Sequence, residues 1–164
     1  MKKTLIIVRH AHTNDPKPGQ DDHERELTSE GNVQARHSAE WLKEQGSLPK
    51  TIMASSAVRT RATAAIFAEV LLGDAGAVQV EPALFRAHEP EVLDLIHQNF
   101  TTEGSIMIVG HNPTVTQLAI RLGATSVSYL PPASVIVLSF EIPSWEDLQF
   151  HQGKVIAKNI TDED

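Results

Sequence analysis

The chain has 164 residues, of which 41% are hydrophobic and 21% charged, with a net charge of -7 and no cysteine. This is the composition of a globular protein about one domain long, so residues 1–164 are expected to form a single domain. Without thiols, disulfides, thiolate catalysis and thiolate metal sites are excluded, and the acidic balance argues against general nucleic-acid binding.

The first apolar run is Thr4 to Val8. It is rich in β-branched residues and reads as a fully buried strand. Arg9 and His10 end it too early for a signal peptide, and no run approaches the ~18 residues of a membrane span. A soluble cytoplasmic protein is therefore expected. Asn14 to Glu26 is polar, holds Pro16, Pro18 and Gly19, and reads as a loop. Thr28 has the chemistry of a helix N-cap, Ala35, Ala39 and Leu42 share one helical face, and Gly46 fits the stop. Thr51 to Ala54 is a short strand. Val58, Ala62, Ala65 and Ile66 predict the buried stripe of a second helix, ending near Gly73.

Val78 and Val80 alternate with polar residues and suggest a third strand. Val92, Leu95, Ile96 and Asn99 predict a helix entered at Pro90. Ser105 to Val109 is another buried strand. Asn112 is expected to cap a helix with Pro113 in its first position; Val115, Leu118, Ala119 and Leu122 form its stripe, and Gly123 ends it. Ser134 to Phe140 and Lys154 to Ile160 close the chain as strands. Strand and helix alternate to Gly123, and two strands follow. That order predicts a three-layer α/β/α sandwich, its sheet mostly parallel with an antiparallel edge.

Two segments echo each other. Leu5-Ile6-Ile7-Val8-Arg9-His10 and Ile106-Met107-Ile108-Val109-Gly110-His111 each run an apolar strand into a histidine. In an open α/β sheet, ligands bind beyond the carboxyl ends of the strands. Arg59, just past the Thr51–Ala54 strand, belongs to the same edge. Arg9, His10, Arg59 and His111 are thus expected to converge. Such a cluster is unfavourable without an anion between its members. A phosphoryl group suits it, because arginine offers bidentate contacts to phosphate oxygens. The N–H groups opening the Asn112-Pro113 helix would add to the anion site.

These residues carry a family resemblance. Arg9-His10-Ala11-His12-Thr13 resembles the signature of the histidine phosphatase superfamily, also called phosphoglycerate mutase-like. Arg25-Glu26-Leu27-Thr28-Ser29-Glu30-Gly31 with Gln34-Ala35 is similar to its next block. Ser55 to Thr63 resembles its second-arginine block. Gly110-His111-Asn112-Pro113 resembles its second-histidine block, in the form of the SixA-type phosphohistidine phosphatases. Four blocks stand in register between about Thr4 and Val137, and the short chain suits that branch. Ala11 stands where a glycine is usual.

The resemblance implies a phosphoglycerate mutase-like fold and a phosphatase that needs neither metal nor cofactor. His10 would be the nucleophile, forming a phosphohistidine. Arg9, Arg59 and His111 would hold the phosphoryl oxygens, with Arg25, Thr13 and Asn112 as further phosphate or substrate contacts. The expected partner is a phosphorylated protein or a small phosphomonoester, with no nucleic acid and no membrane. The general acid of larger relatives has no clear equivalent in Pro82 to Glu89, where Glu89 and Glu81 are the nearest carboxylates. The remaining histidines, His12, His23, His37, His88, His97 and His151, are expected to be structural. A non-catalytic phosphate- or phosphopeptide-binding module and a small phosphomutase are the alternatives. A metal-dependent hydrolase built on His10-Ala11-His12 is disfavoured, because (β/α)₈ barrels need ~200 residues or more.

Overall fold

The computed structural model describes residues 2–162. Strand β1 spans Lys2–Arg9, β2 Thr51–Ala54, β3 Gln79–Val80, β4 Ser105–Gly110, β5 Val135–Glu141 and β6 Lys154–Asn159. Helix α1 spans Ser29–Glu44, α2 Val58–Leu72, α3 Glu89–Asn99 and α4 Thr114–Leu122. The strands form one sheet in the order β3-β2-β4-β1-β5-β6. β3, β2, β4 and β1 are mutually parallel, whereas β5 runs antiparallel to both β1 and β6. This is the α/β arrangement with an antiparallel edge that the element order predicts.

The strand period of two sorts the apolar residues into two cores. Ile6, Val8, Ile52, Met107, Val109, Val135 and Val137 pack on one face with α1 and α2. Leu5, Ile7, Met53, Ile106, Ile108, Ile136 and Leu138 pack on the other with α3 and α4. Central strands buried on both faces need apolar residues throughout, which is why β1 and β4 read as unbroken runs.

The helix ends follow local chemistry. Thr28 caps α1 by accepting the Gly31 N–H, and Gly73 ends α2 at φ 71°, a left-handed conformation that suits glycine. Gly31 lies against the His12 carbonyl, where a β-carbon would collide, so the start of α1 sits directly on the chain leaving β1.

Two expectations need correction. The buried face of α2 is not Val58, Ala62, Ala65 and Ile66 but Arg59, Thr60, Thr63, Ala64, Phe67, Ala68 and Leu71. Apolar residues surround this helix, so its own pattern does not select a face; the sheet and α1 do. Asn112 is not the N-cap of α4, which begins at Thr114 after Pro113. The Asn112 carboxamide instead accepts from the Thr116 N–H and hydroxyl and donates to the Leu130 carbonyl, tying α4 to the 130 segment.

Candidate active site

β1 and β4 are neighbours, with Arg9 opposite Gly110. The His10 N–H donates to the Gly110 carbonyl at 3.1 Å. The echo in the sequence is therefore a physical pairing: His10 and His111 leave adjacent parallel strands side by side, with ring centroids 5.6 Å apart. β2 delivers Arg59 from the other flank of β4, on the first turn of α2. The four central residues are gathered at the carboxyl edge of the parallel strands.

Each is held by backbone or by a neighbouring side chain. His10 is 8% exposed, and its Nδ1 lies 2.8 Å from the Ala11 carbonyl. A carbonyl only accepts, so Nδ1 carries the proton and the lone pair is on Nε2. The acceptor that fixes the tautomer is thus the backbone of the next residue. Ala11 is itself fixed, its N–H donating to Thr63 Oγ1 at 3.0 Å, while that hydroxyl donates to the Arg59 carbonyl at 2.8 Å. Arg9 donates through Nη1 to the Tyr129 hydroxyl at 2.8 Å and the Leu130 carbonyl at 3.0 Å.

Ser55 and Thr60 orient the second histidine. The Thr60 hydroxyl donates to the carbonyls of Ser55 and Ala57, both at 3.0 Å, so Ser55 donates to Thr60 and accepts from His111 Nε2. That leaves His111 Nδ1 as the atom facing no protein partner. It is one of four buried side-chain polar atoms without one among the described residues; two others are Arg9 Nε and Arg59 Nε.

The electrostatics follow from burial. Desolvation, reinforced by the charges of His111, Arg9 and Arg59 against the Ala11 hydrogen bond, pushes His10 down to about 3. Desolvation, then the charge of Arg59, pushes His111 down to about 4, although Asp22 pulls the other way. Both rings are neutral at neutral pH in the free protein, and Nε2 of His10 carries that ring's lone pair.

This predicts an acid-side loss of stability. In the unfolded chain each imidazole binds its proton near 6.5; in the folded chain, only near 3 and 4. The unfolded state therefore takes up more protons below 6.5. The stability is complete above that value and is lost as pH falls toward the folded values. The slope approaches about 1.4 kcal/mol per pH unit for each histidine. Urea unfolding midpoints from about pH 7 to about pH 4 should fall more steeply for wild type than for a His10→Gln, His111→Gln variant. Parallel profiles would contradict the depressed values.

The other expected contacts lie around this centre. Arg25 reaches the Asn14 carbonyl, the Thr13 hydroxyl at 2.7 Å and Asp22 Oδ1 at 3.0 Å. Thr13 and Leu27 form a bridge that closes the base of the Asn14–Glu26 loop. Thr13 and Arg25 thus brace that loop, and Asn112 braces the 130 segment. Glu89 pairs with Arg121 at 3.6 Å, and Glu81 caps a 3-10 turn by accepting the Ala83 N–H. Both have structural occupations.

Sequence reasoning missed several residues. His23 is not merely structural surface: its Nε2 lies 2.9 Å from Ser56 Oγ, and its ring packs edge-on against Phe85, which packs against His111. Asp22 binds Arg59. The signal available was an acid three residues before Arg25, in a loop otherwise read only as polar. Tyr129 carried no signal, because its approach to Arg9 spans 120 positions.

The family pattern of the histidine phosphatase superfamily (branch 1) matches residues 5–85. A chloroplastic protein of Arabidopsis thaliana, itself uncharacterized, is 28% identical over 155 residues, covering 90% of this chain and 71% of that protein. In fold, the chain is similar to a SixA structure from Nakamurella multipartitia, with TM-score 0.81, 23% identity and coverage of 97% of this chain and 96% of that one. It also resembles the protein histidine phosphatase SixA complexed with tungstate, with TM-score 0.73, 19% identity and coverage of 94% and 95%. The matched segment contains β1 with Arg9 and His10 and the start of α2 with Arg59, and the fold brings His111 to them: over residues 5–85 the chain matches the histidine phosphatase superfamily (branch 1).

Proposed function

We propose that the chain is a phosphatase that works through a phosphohistidine on His10, without a metal, on protein phosphohistidine or activated phosphomonoesters. The observation that carries this reading is the set of orphaned buried atoms. Among the described residues, Arg9 Nε, Arg59 Nε and His111 Nδ1 have no protein partner, and they belong to the residues grouped around His10. Buried polar atoms left unpaired cost free energy unless a ligand completes them. A phosphoryl group has three oxygens to offer.

In the first step the Nε2 lone pair of His10 attacks phosphorus, and the bond to the leaving atom breaks with its electron pair. The proton stays on Nδ1, which donates to the Ala11 carbonyl, and that hydrogen bond stabilises the positive ring of the phosphohistidine. Arg9 and Arg59 meet the negative charge spread over the equatorial oxygens. His111 is neutral before substrate binds; a bound dianion favours its protonation, and Nδ1–H then donates to an oxygen. Water attacks the phosphohistidine in the second step, and the electron pair of the P–N bond returns to Nε2. Tungstate, a tetrahedral oxyanion, occupies the structurally similar SixA protein, which fits this assignment.

The leaving group sets the substrate range. An alkoxide needs a proton as it departs. Glu89 and Glu81 are occupied elsewhere, and Asp22 is held below the usual carboxylate range by its hydrogen bond to Arg25 and the charge of Arg59. An ionised Asp22 cannot donate. Phosphohistidine and aryl phosphates, whose leaving groups need less help, should turn over well, and phosphoserine and sugar phosphates poorly. A leaving-group series with and without chelator tests this on wild type and Glu89→Gln. A flat dependence that the substitution steepens would identify Glu89 as the acid. Loss of activity with chelator would overturn the metal-free reading.

A further inference from the structure

The cationic cluster already contains an anion, and the chain itself supplies it. Both terminal nitrogens of Arg59 are taken by one residue. Nη1 donates to the Asp22 carbonyl at 2.7 Å, and Nη2 to the Asp22 carboxylate at 3.0 Å. The Arg59 side chain is 7% exposed, whereas that of Asp22 is 54% exposed. The arginine is fixed in the floor of the site, and the aspartate reaches down to it from a surface loop. The other carboxylate oxygen holds Arg25 at 3.0 Å. Next to it, His23 seats the same turn on Ser56 and Phe85. Yet Arg9 Nε, Arg59 Nε and His111 Nδ1 stay unpartnered, so Asp22 fills only part of the site.

We propose that Asp22 is a tethered phosphate surrogate, a latch that an incoming phosphoryl group must displace from Arg59. This rests on the reading of the cluster as a phosphoryl site. A free monoanion brings Arg59 the same charge that the carboxylate brings, without the advantage of being held in place. A dianion brings twice the charge and enough oxygens to reach the orphaned atoms as well. On exchange, Asp22 keeps Arg25, so the loop turns about its braced base at Thr13 and Leu27. A site that is open in a fraction of molecules binds more weakly by that fraction.

Calorimetric titration of wild type, Asp22→Ala and Asp22→Asn with inorganic phosphate, and separately with dimethyl phosphate, tests the proposal. The first ligand is a dianion at about pH 8, and the second is a monoanion of similar shape. Both substitutions should tighten phosphate binding about tenfold, corresponding to a latch closed in about nine molecules of ten. Both should raise dimethyl phosphate affinity by a similar factor, because a closed latch excludes either ligand by the same fraction. Unchanged or weaker phosphate binding in the two folded variants would overturn the role of Asp22. So would an effect seen in Asp22→Ala alone, because the argument is one of charge. A gain for one ligand only would overturn the latch, because a closed site excludes both. If neither wild type nor variants bind phosphate at all, the phosphoryl-site reading itself fails, and the latch with it.

Discussion

His10→Ala is expected to lose the covalent intermediate and to slow turnover by roughly 10⁴ to 10⁶. Labelling of wild type with a phosphorylated substrate, quenched in base, should give a label that is stable to base and labile to acid, as a phosphoramidate is. The assignment rests on two structural facts, that His10 follows β1 among the cations and donates its Nδ1 proton to the Ala11 carbonyl, together with the burial that pushes its pKa down to about 3. The label should vanish in His10→Ala and persist in a His111→Ala variant that turns over slowly. A label that survives in His10→Ala places the nucleophile elsewhere. A phosphate-binding module without chemistry would show no label in either protein and would still bind phosphate.

Arg59→Ala is expected to fold and to be slow. The side chain is buried, but its hydrogen bonds run to Asp22 on a surface loop, and the contact to Thr63 uses the Arg59 backbone carbonyl, which alanine keeps. Removing one preorganised charged donor typically costs ~2.7–4 kcal/mol of transition-state stabilisation, or roughly 10²–10³ in kcat. Arg59→Lys should recover little, because an ammonium cannot reproduce the planar fork. The free Asp22 carboxylate left beside the site should weaken phosphate binding further, and Asp22→Asn in the Arg59→Ala background should restore part of it. Unchanged kcat/KM in a folded Arg59→Ala protein would remove Arg59 from the site.

The edge-gathering argument worked because its inputs are local. An apolar run ending in Arg9-His10, and a second ending in Gly110-His111, are properties of short peptides. Parallel strands in a doubly covered sheet bring their carboxyl ends together whatever the side chains between them. The cap at Thr28, the stop at Gly73 and the stripe of α4 were legible for the same reason: each depends on a few neighbouring residues. The argument that clustered cations call for an anion was sound as electrostatics. It could not say that the chain provides one.

What tertiary structure decided lies in pairs far apart in sequence. Arg59 meets Asp22 across 37 positions, and His111 meets Ser55 across 56. Neither loop path nor strand order can be read from a single segment. The face of α2 was undecidable from its own pattern, because Ala62 and Ala65 are as apolar as the buried Ala64 and Ala68, and only packing on the sheet and α1 chooses between them. The tautomers of His10 and His111 depend on which acceptor stands within about 3 Å of each ring nitrogen, a matter of backbone direction after β1 and of the first turn of α2. The sequence by itself pointed to Arg9, His10, Arg59 and His111 as one cluster at the sheet edge. The fold decided which nitrogen of each histidine keeps a free lone pair, which donors remain open, and that Asp22 holds Arg59, because hydrogen bonds act over a few ångströms and only the folded chain sets those distances.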